Sequence, residues 1–154
     1  MLLHRDGRGV MHSHLKRGVN RDAALEAWRG YYARALPLLD KVVNPAHVLR
    51  VAYEDLVAEP EERLRRICRF LQLDFEPGML DFSSKVHHTP EGNDMRHGSS
   101  KIRADDGWHT GMSAPDLAYF QRKAGDINRR LGYAERAGTT VAVGSLDLET
   151  ARSL

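Results

Sequence analysis

Apolar residues recur along this chain with helical spacing in three places. Leu25, Trp28, Tyr32 and Leu36 fall on one face of a helix predicted over 21–36, with Asn20 as a suitable N-cap. Pro37 should end or kink it, because proline has no N–H to donate. Leu64, Ile67, Cys68 and Leu71 make a second stripe. Pro60 suits that helix's first turn, Glu61 and Glu62 lie at the positive end of its dipole, and Arg65 and Arg66 stand four residues on as partners. Cys68, lying on this stripe, reads as a small core residue rather than a reactive thiol. The third stripe is Leu117, Phe120, Ala124, Ile127 and Leu131, opened by the capping pair Ser113 and Asp116 and closed by Gly132.

The remaining segments predict shorter elements. Residues 1–4 read as the end of a short strand, and Arg5-Asp6-Gly7-Arg8-Gly9 as a turn leading to a helix from Val10 to about Arg17. His47 to Tyr53 is rich in Val and Leu, is preceded by Asn44-Pro45, and reads as a buried strand. Residues 83–112 are polar, Gly-rich and aperiodic, the signature of a functional loop or of disorder, and 136–154 read as a frayed tail. Strands alternating with helices give an α/β fold class, although two strands are too few for a self-sufficient parallel sheet.

Composition narrows the function classes. At 154 residues, 42% hydrophobic and 29% charged, the chain has ordinary soluble usage, which excludes collagen, coiled-coil and disordered classes. No apolar run approaches the ~20 residues that cross a bilayer, and Arg5 interrupts any signal-peptide pattern, so the expected location is cytoplasmic. A net charge of +2 argues against a bulk nucleic-acid or membrane-surface binder. The single cysteine excludes a disulfide framework within the chain and a Cys-rich zinc site. His12 and His14, and His87 and His88, lack metal-ligand spacing, and neither a Gly-x-Ser-x-Gly elbow nor a Gly-x-x-x-x-Gly-Lys-Ser/Thr loop is present.

The positive charge is local. Residues 1–19 carry Arg5, Arg8, Lys16 and Arg17 against Asp6 alone. A strand running through this glycine-containing turn into a helix presents amides, a dipole and guanidinium groups together, which is a recipe for binding anions. Ser13 and Arg17 fall on the same helix face. A solvated basic helix start is the competing reading, and spacing alone leaves both open.

The order of motifs adds a resemblance. Arg5-Asp6-Gly7-Arg8, His12-Ser13 and Arg17 resemble the 3′-phosphate-binding segment of sulfotransferases that use PAPS (3′-phosphoadenosine 5′-phosphosulfate), with wording most like the tyrosylprotein branch. Val51-Ala52-Tyr53-Glu54-Asp55-Leu56, then Pro60 and Phe70-Leu71, are similar to that family's next hallmark. Gly92 to Arg96, Ile102, Asp105, Trp108 and Leu131-Gly132-Tyr133 look like its C-terminal segment, especially in bacterial members.

The resemblance implies a sulfotransferase domain over 1–133, with 134–154 as a tail, of the P-loop-like fold but without its N-terminal phosphosulfate-loop unit. It implies PAPS as sulfate donor, no metal, and a hydroxyl or amine acceptor. Arg5 and Ser13 match the residues that hold the donor's 3′-phosphate, and Arg17 matches a third contact. Tyr53 matches the tyrosine at the adenine end, with a buried aromatic as the competing reading. Arg96, Lys101 and Arg103 lie where the family brings a basic loop over the phosphates. Asn93 and Trp108 read as structural. No catalytic residue is assigned, because the family's base and phosphosulfate loop lie upstream of the Arg5 segment. Two expectations result: a truncated sulfotransferase whose open sheet edge is covered by a partner chain or oligomer, or a non-catalytic remnant that binds a 3′-phosphoadenosine nucleotide or a protein.

Overall fold

A computed structural model describes residues 1–42, 44–81 and 104–134. The elements run in the order β1 (Leu2–His4), α1 (Gly7–Lys16), α2 (Arg21–Leu39), β2 (Arg50–Ala52), α3 (Tyr53–Ala58), α4 (Pro60–Leu71), α5 (Trp108–Gly111) and α6 (Ala114–Arg130). The fold is α/β, with a small parallel sheet and a majority of helices. Two compact units divide the chain: a strand unit of Met1–Arg5 and Ala35–Asp106, and a helical unit of Asp6–Arg34 and the chain from Gly107 onward.

In the strand unit β1 and β2 pair in parallel, with Leu2 opposite Arg50, Leu3 opposite Val51 and His4 opposite Ala52. Successive side chains of a strand point to opposite faces. Leu2 and His4 are accordingly buried, and Leu3 between them is 48% exposed. The strand expected over 47–53 is shorter at both ends. His47 belongs to a single 3-10 turn, Pro45–His47, and Tyr53 opens α3 instead of closing the strand. Glu54 and Asp55 explain that switch, since both fall in the first turn of α3, where the helix dipole favours negative charge.

Pro60 then starts α4 at a position where a missing N–H costs nothing. The expected Glu61–Arg65 pair forms at 2.8 Å, and Glu59 pairs with Arg63 at 2.8 Å. Cys68 is buried, with its Sγ 3.7 Å from Met79 Sδ. Leu64 and Ile67 are half-buried and Leu71 is exposed, so the predicted stripe is covered only in part. The helix ends at Gln72, which adopts the left-handed conformation (φ 57°) that glycine usually supplies.

The helical unit is built around aromatic packing. The Trp28 ring lies 5.0 Å from Tyr32 and 5.6 Å from Phe120, and Met11, Leu25, Ala124 and Ile127 are buried as well. Helix α2 is capped by Asn20, whose Oδ1 accepts the Ala23 N–H at 2.9 Å. It runs through Pro37 to Leu39 rather than stopping there. So near the C-terminal end, the proline forfeits one bond, to the Ala33 carbonyl, and the last turn holds. Helix α6 has the expected ends: Ser113 Oγ accepts the Asp116 N–H at 3.2 Å, and Gly132 turns left-handed at φ 97°. Tyr133 N–H then reaches back to the Asn128 carbonyl at 3.0 Å, completing the cap.

Helix α1 begins at Gly7, three residues before the expected Val10, because Asp6 caps it by accepting the Arg8 N–H at 2.9 Å. The described end of the expected 83–112 loop contains the single helical turn α5. The rest of that loop and the tail from 135 lie outside the described residues. Among the described residues no helix is long and apolar enough to cross a membrane.

Candidate functional site

The turn after β1 is organised from the inside. In the helical unit, Asp6 and Arg8 are almost fully buried, at 4% and 6% exposure. Arg8 Nη2 donates to Asp6 Oδ2 at 2.6 Å and Nε to Oδ1 at 2.9 Å, the forked geometry that satisfies both charges at once. The same guanidinium lies over the Trp108 ring, 4.3 Å from its centroid. Asn128 of α6 joins the group: its Oδ1 accepts the Gly7 N–H at 3.0 Å, and its Nδ2 donates to Asp6 Oδ1 at 3.2 Å. Gly7 is needed here for packing. A Cβ at this position would stand 2.6 Å from the Phe120 ring and 2.8 Å from Trp28.

This arrangement corrects one expectation. The Gly7 and Arg8 amides donate to protein side chains, and the Arg8 guanidinium is held by Asp6, so these groups do not cradle an external anion. Trp108 is buried beneath Arg8, in the structural role expected of it.

Arg5 directly follows β1 and lies in the strand unit. Its Nη2 donates to Asp105 Oδ2 at 2.9 Å and to the Asp105 carbonyl at 3.0 Å. The guanidinium also covers the Tyr53 ring at 4.6 Å, and Tyr53 is half-buried at the first position of α3. Two of the residues assigned from sequence are thus in contact. In the helical unit Ser13 and Arg17 form a second pair, Arg17 Nη2 donating to Ser13 Oγ at 3.3 Å across one turn at the end of α1. Arg96, Lys101, Arg103 and Asn93 lie outside the described residues.

Two residues that matter to these groups were assigned no role from sequence, although Asp105 stood among the matched motif positions. Asp105 meets Arg5 across a hundred positions, and no periodic pattern encodes that pairing. Asn128 did leave a signal: it falls on the buried face of α6, between Ile127 and Leu131, where an apolar residue is expected.

Next to Arg5, His4 is 6% exposed. Burial, followed by the positive charge of Arg50, pushes its imidazole down to about 4, with Asp55 pulling the other way. It is therefore neutral at pH 7 and adds no charge beside Arg5. Among the described residues no group of three or more His, Cys, Asp or Glu is placed to hold a metal. A separate cleft in the helical unit, lined by Asp22, Glu26, Arg29, Tyr119 and Lys123 among others, includes none of the residues assigned from sequence.

Comparison with known proteins bears on these groups. A family model described as sulfotransferase family matches residues 2–77. The chain is similar to a Caenorhabditis briggsae protein named "Putative protein-tyrosine sulfotransferase", with 28% identity over 109 residues, covering 67% of this chain and 39% of that protein. The Caenorhabditis elegans protein of the same name is 27% identical over 109 residues, covering 67% of this chain and 42% of its own length. In fold, the chain matches the sulfotransferase domain from the curacin biosynthetic pathway with a TM-score of 0.63 at 22% identity, over 86% of this chain and 52% of that one. The chain spans about two fifths of the length of the curated relatives it matches. Residues 2–77 thus match the sulfotransferase-family pattern, as the motifs there implied, and the fold is that of a sulfotransferase domain.

Proposed function

We propose that this chain carries the donor side of a PAPS-dependent sulfotransferase, in which a sulfuryl group passes from PAPS to an acceptor hydroxyl or amine. In this reading Arg5 and Ser13 bind the donor's 3′-phosphate, Arg17 adds a third contact, and Tyr53 meets the adenine. The loop cations Arg96, Lys101 and Arg103 are assigned to the phosphates from the sequence pattern alone. The observation that carries the reading is the Arg5 group. A guanidinium at the end of β1 lies on the Tyr53 ring and already bonds an oxyanion, the Asp105 carboxylate, at 2.9 Å.

The chemistry fits the residue types. A planar guanidinium meets phosphate oxygens two at a time, and a serine hydroxyl donates one further bond. In sulfuryl transfer the bond from sulfur to the leaving phosphate oxygen breaks as the acceptor's oxygen or nitrogen bonds to sulfur, and the acceptor's proton passes to a base. This chain's described residues contribute to that step by orienting the donor and offsetting its charge. No catalytic base is assigned among them.

Adenosine 3′,5′-bisphosphate tests the reading as the desulfated form of the donor. A ligand that binds only the folded state stabilises it by about 2.7 kcal/mol at a hundred times its Kd. The thermal midpoint should therefore rise with added nucleotide, and Arg5→Ala should abolish the rise. An unchanged midpoint at millimolar nucleotide contradicts the proposal.

A further inference from the structure

The Arg5 guanidinium is occupied by a carboxylate of its own chain, and the geometry of that contact is one that a ligand can reverse. Arg5 and Asp105 meet through a single nitrogen, Nη2, which serves both Asp105 Oδ2 at 2.9 Å and the Asp105 carbonyl at 3.0 Å. Their side chains keep 23% and 35% of their exposure, so water and solutes reach the pair. An ion pair with that access is weakened by solvent screening and is readily exchanged. A phosphate bound through both arms of a guanidinium is held more strongly, because two parallel charge-assisted bonds replace one. Tyr53 supplies the remaining element. Its ring supports the guanidinium at 4.6 Å, so Arg5 keeps its orientation when the carboxylate departs. The Asp6–Arg8 pair shows the opposite design within the helical unit: forked, with side-chain exposures of 8% and 6%, it has no route to exchange.

We propose that Asp105 is a built-in competitor at the anion site: its carboxylate holds Arg5 over Tyr53 while the site is empty and gives the guanidinium up to the phosphate of an incoming nucleotide. The inference rests on the reading of Arg5 as a phosphate ligand and adds the residue that sets the affinity of that site. A carboxylate that must be displaced, and that then stays close to a dianion, weakens binding on both counts. Removing its charge therefore strengthens binding, whereas losing a merely structural contact would weaken it.

The experiment is a calorimetric titration of the full chain with adenosine 3′,5′-bisphosphate, using Asp105→Asn, Arg5→Ala and the double variant. Asp105→Asn should tighten Kd about threefold to fivefold, the equivalent of an ion pair of up to about 1 kcal/mol. The gain should vanish when Arg5 is alanine, and Asp105→Glu should keep the wild-type affinity. Asp105→Ser, read beside Asp105→Asn with both melting temperatures, guards against a variant that fails to fold. Unchanged or weaker binding by Asp105→Asn, where the wild type binds and Arg5→Ala does not, overturns the competitor and leaves Arg5 as the phosphate ligand. Equal binding by wild type and Arg5→Ala, or none by wild type and Asp105→Asn alike, overturns the reading of Arg5 and the competitor together.

Discussion

Asp6 and Arg8 show how few residues fix the start of α1. Each charge has lost nearly all its water, and the loss is offset by the other, by the Arg8 amide, by Asn128 and by the Trp108 ring. Removing one member of a buried pair strands its partner, at a cost of about 3–5 kcal/mol. Asp6→Ala should lose that much in urea-unfolding free energy, and Asp6→Ala combined with Arg8→Met should recover most of it. A loss below about 1 kcal/mol in the single variant, the range of an exposed pair, would contradict the buried pairing. This group was only half legible. Arg-Asp-Gly-Arg-Gly advertises a turn with charge, and its glycines suggest amides open to a ligand. Which amides are taken depends on Asn128, more than a hundred residues away, and on Phe120 and Trp28 closing over Gly7.

Among the elements, β1 carries a pH dependence that its three residues would not suggest. His4 has an imidazole lowered from the ordinary 6.5 to about 4, chiefly by burial and secondarily by Arg50. Below pH 6.5 the unfolded chain takes up a proton that the folded chain refuses until about pH 4. The contribution to stability is therefore complete above 6.5 and falls as the pH drops toward 4, by on the order of 3 kcal/mol in all. The urea midpoint of the wild type should decline over that window more steeply than that of His4→Gln. Parallel pH profiles would rule out a buried neutral His4. Helices α4 and α6 were legible from their apolar stripes and capping residues, because helix signals are local. The β2–α3 boundary was not. The Val-rich run favours extended backbone, while Glu54 and Asp55 just beyond Tyr53 favour a helix N-terminus, and the second preference prevails.

For the whole molecule, motif order was more informative than composition. Residues 2–77 match the sulfotransferase family and the fold matches a sulfotransferase domain, as Arg5-Asp6-Gly7-Arg8 followed by Tyr53-Glu54-Asp55 implied. Periodicity alone could not have reached that class, since the two strands and six α-helices among the described residues suit many α/β proteins. The Arg5–Tyr53 contact was foreshadowed only as two separate motif positions, and its third member, Asp105, by a match that said nothing of its partner. The central claim is that Arg5 recognises a 3′-phosphate, and it is tested most directly by titrating the chain with adenosine 3′,5′-bisphosphate and with adenosine 5′-monophosphate. The bisphosphate should bind about tenfold tighter or better, the equivalent of one charge-assisted phosphate contact, and Arg5→Ala should erase the difference. Equal affinity of the wild type for the two nucleotides would contradict the account.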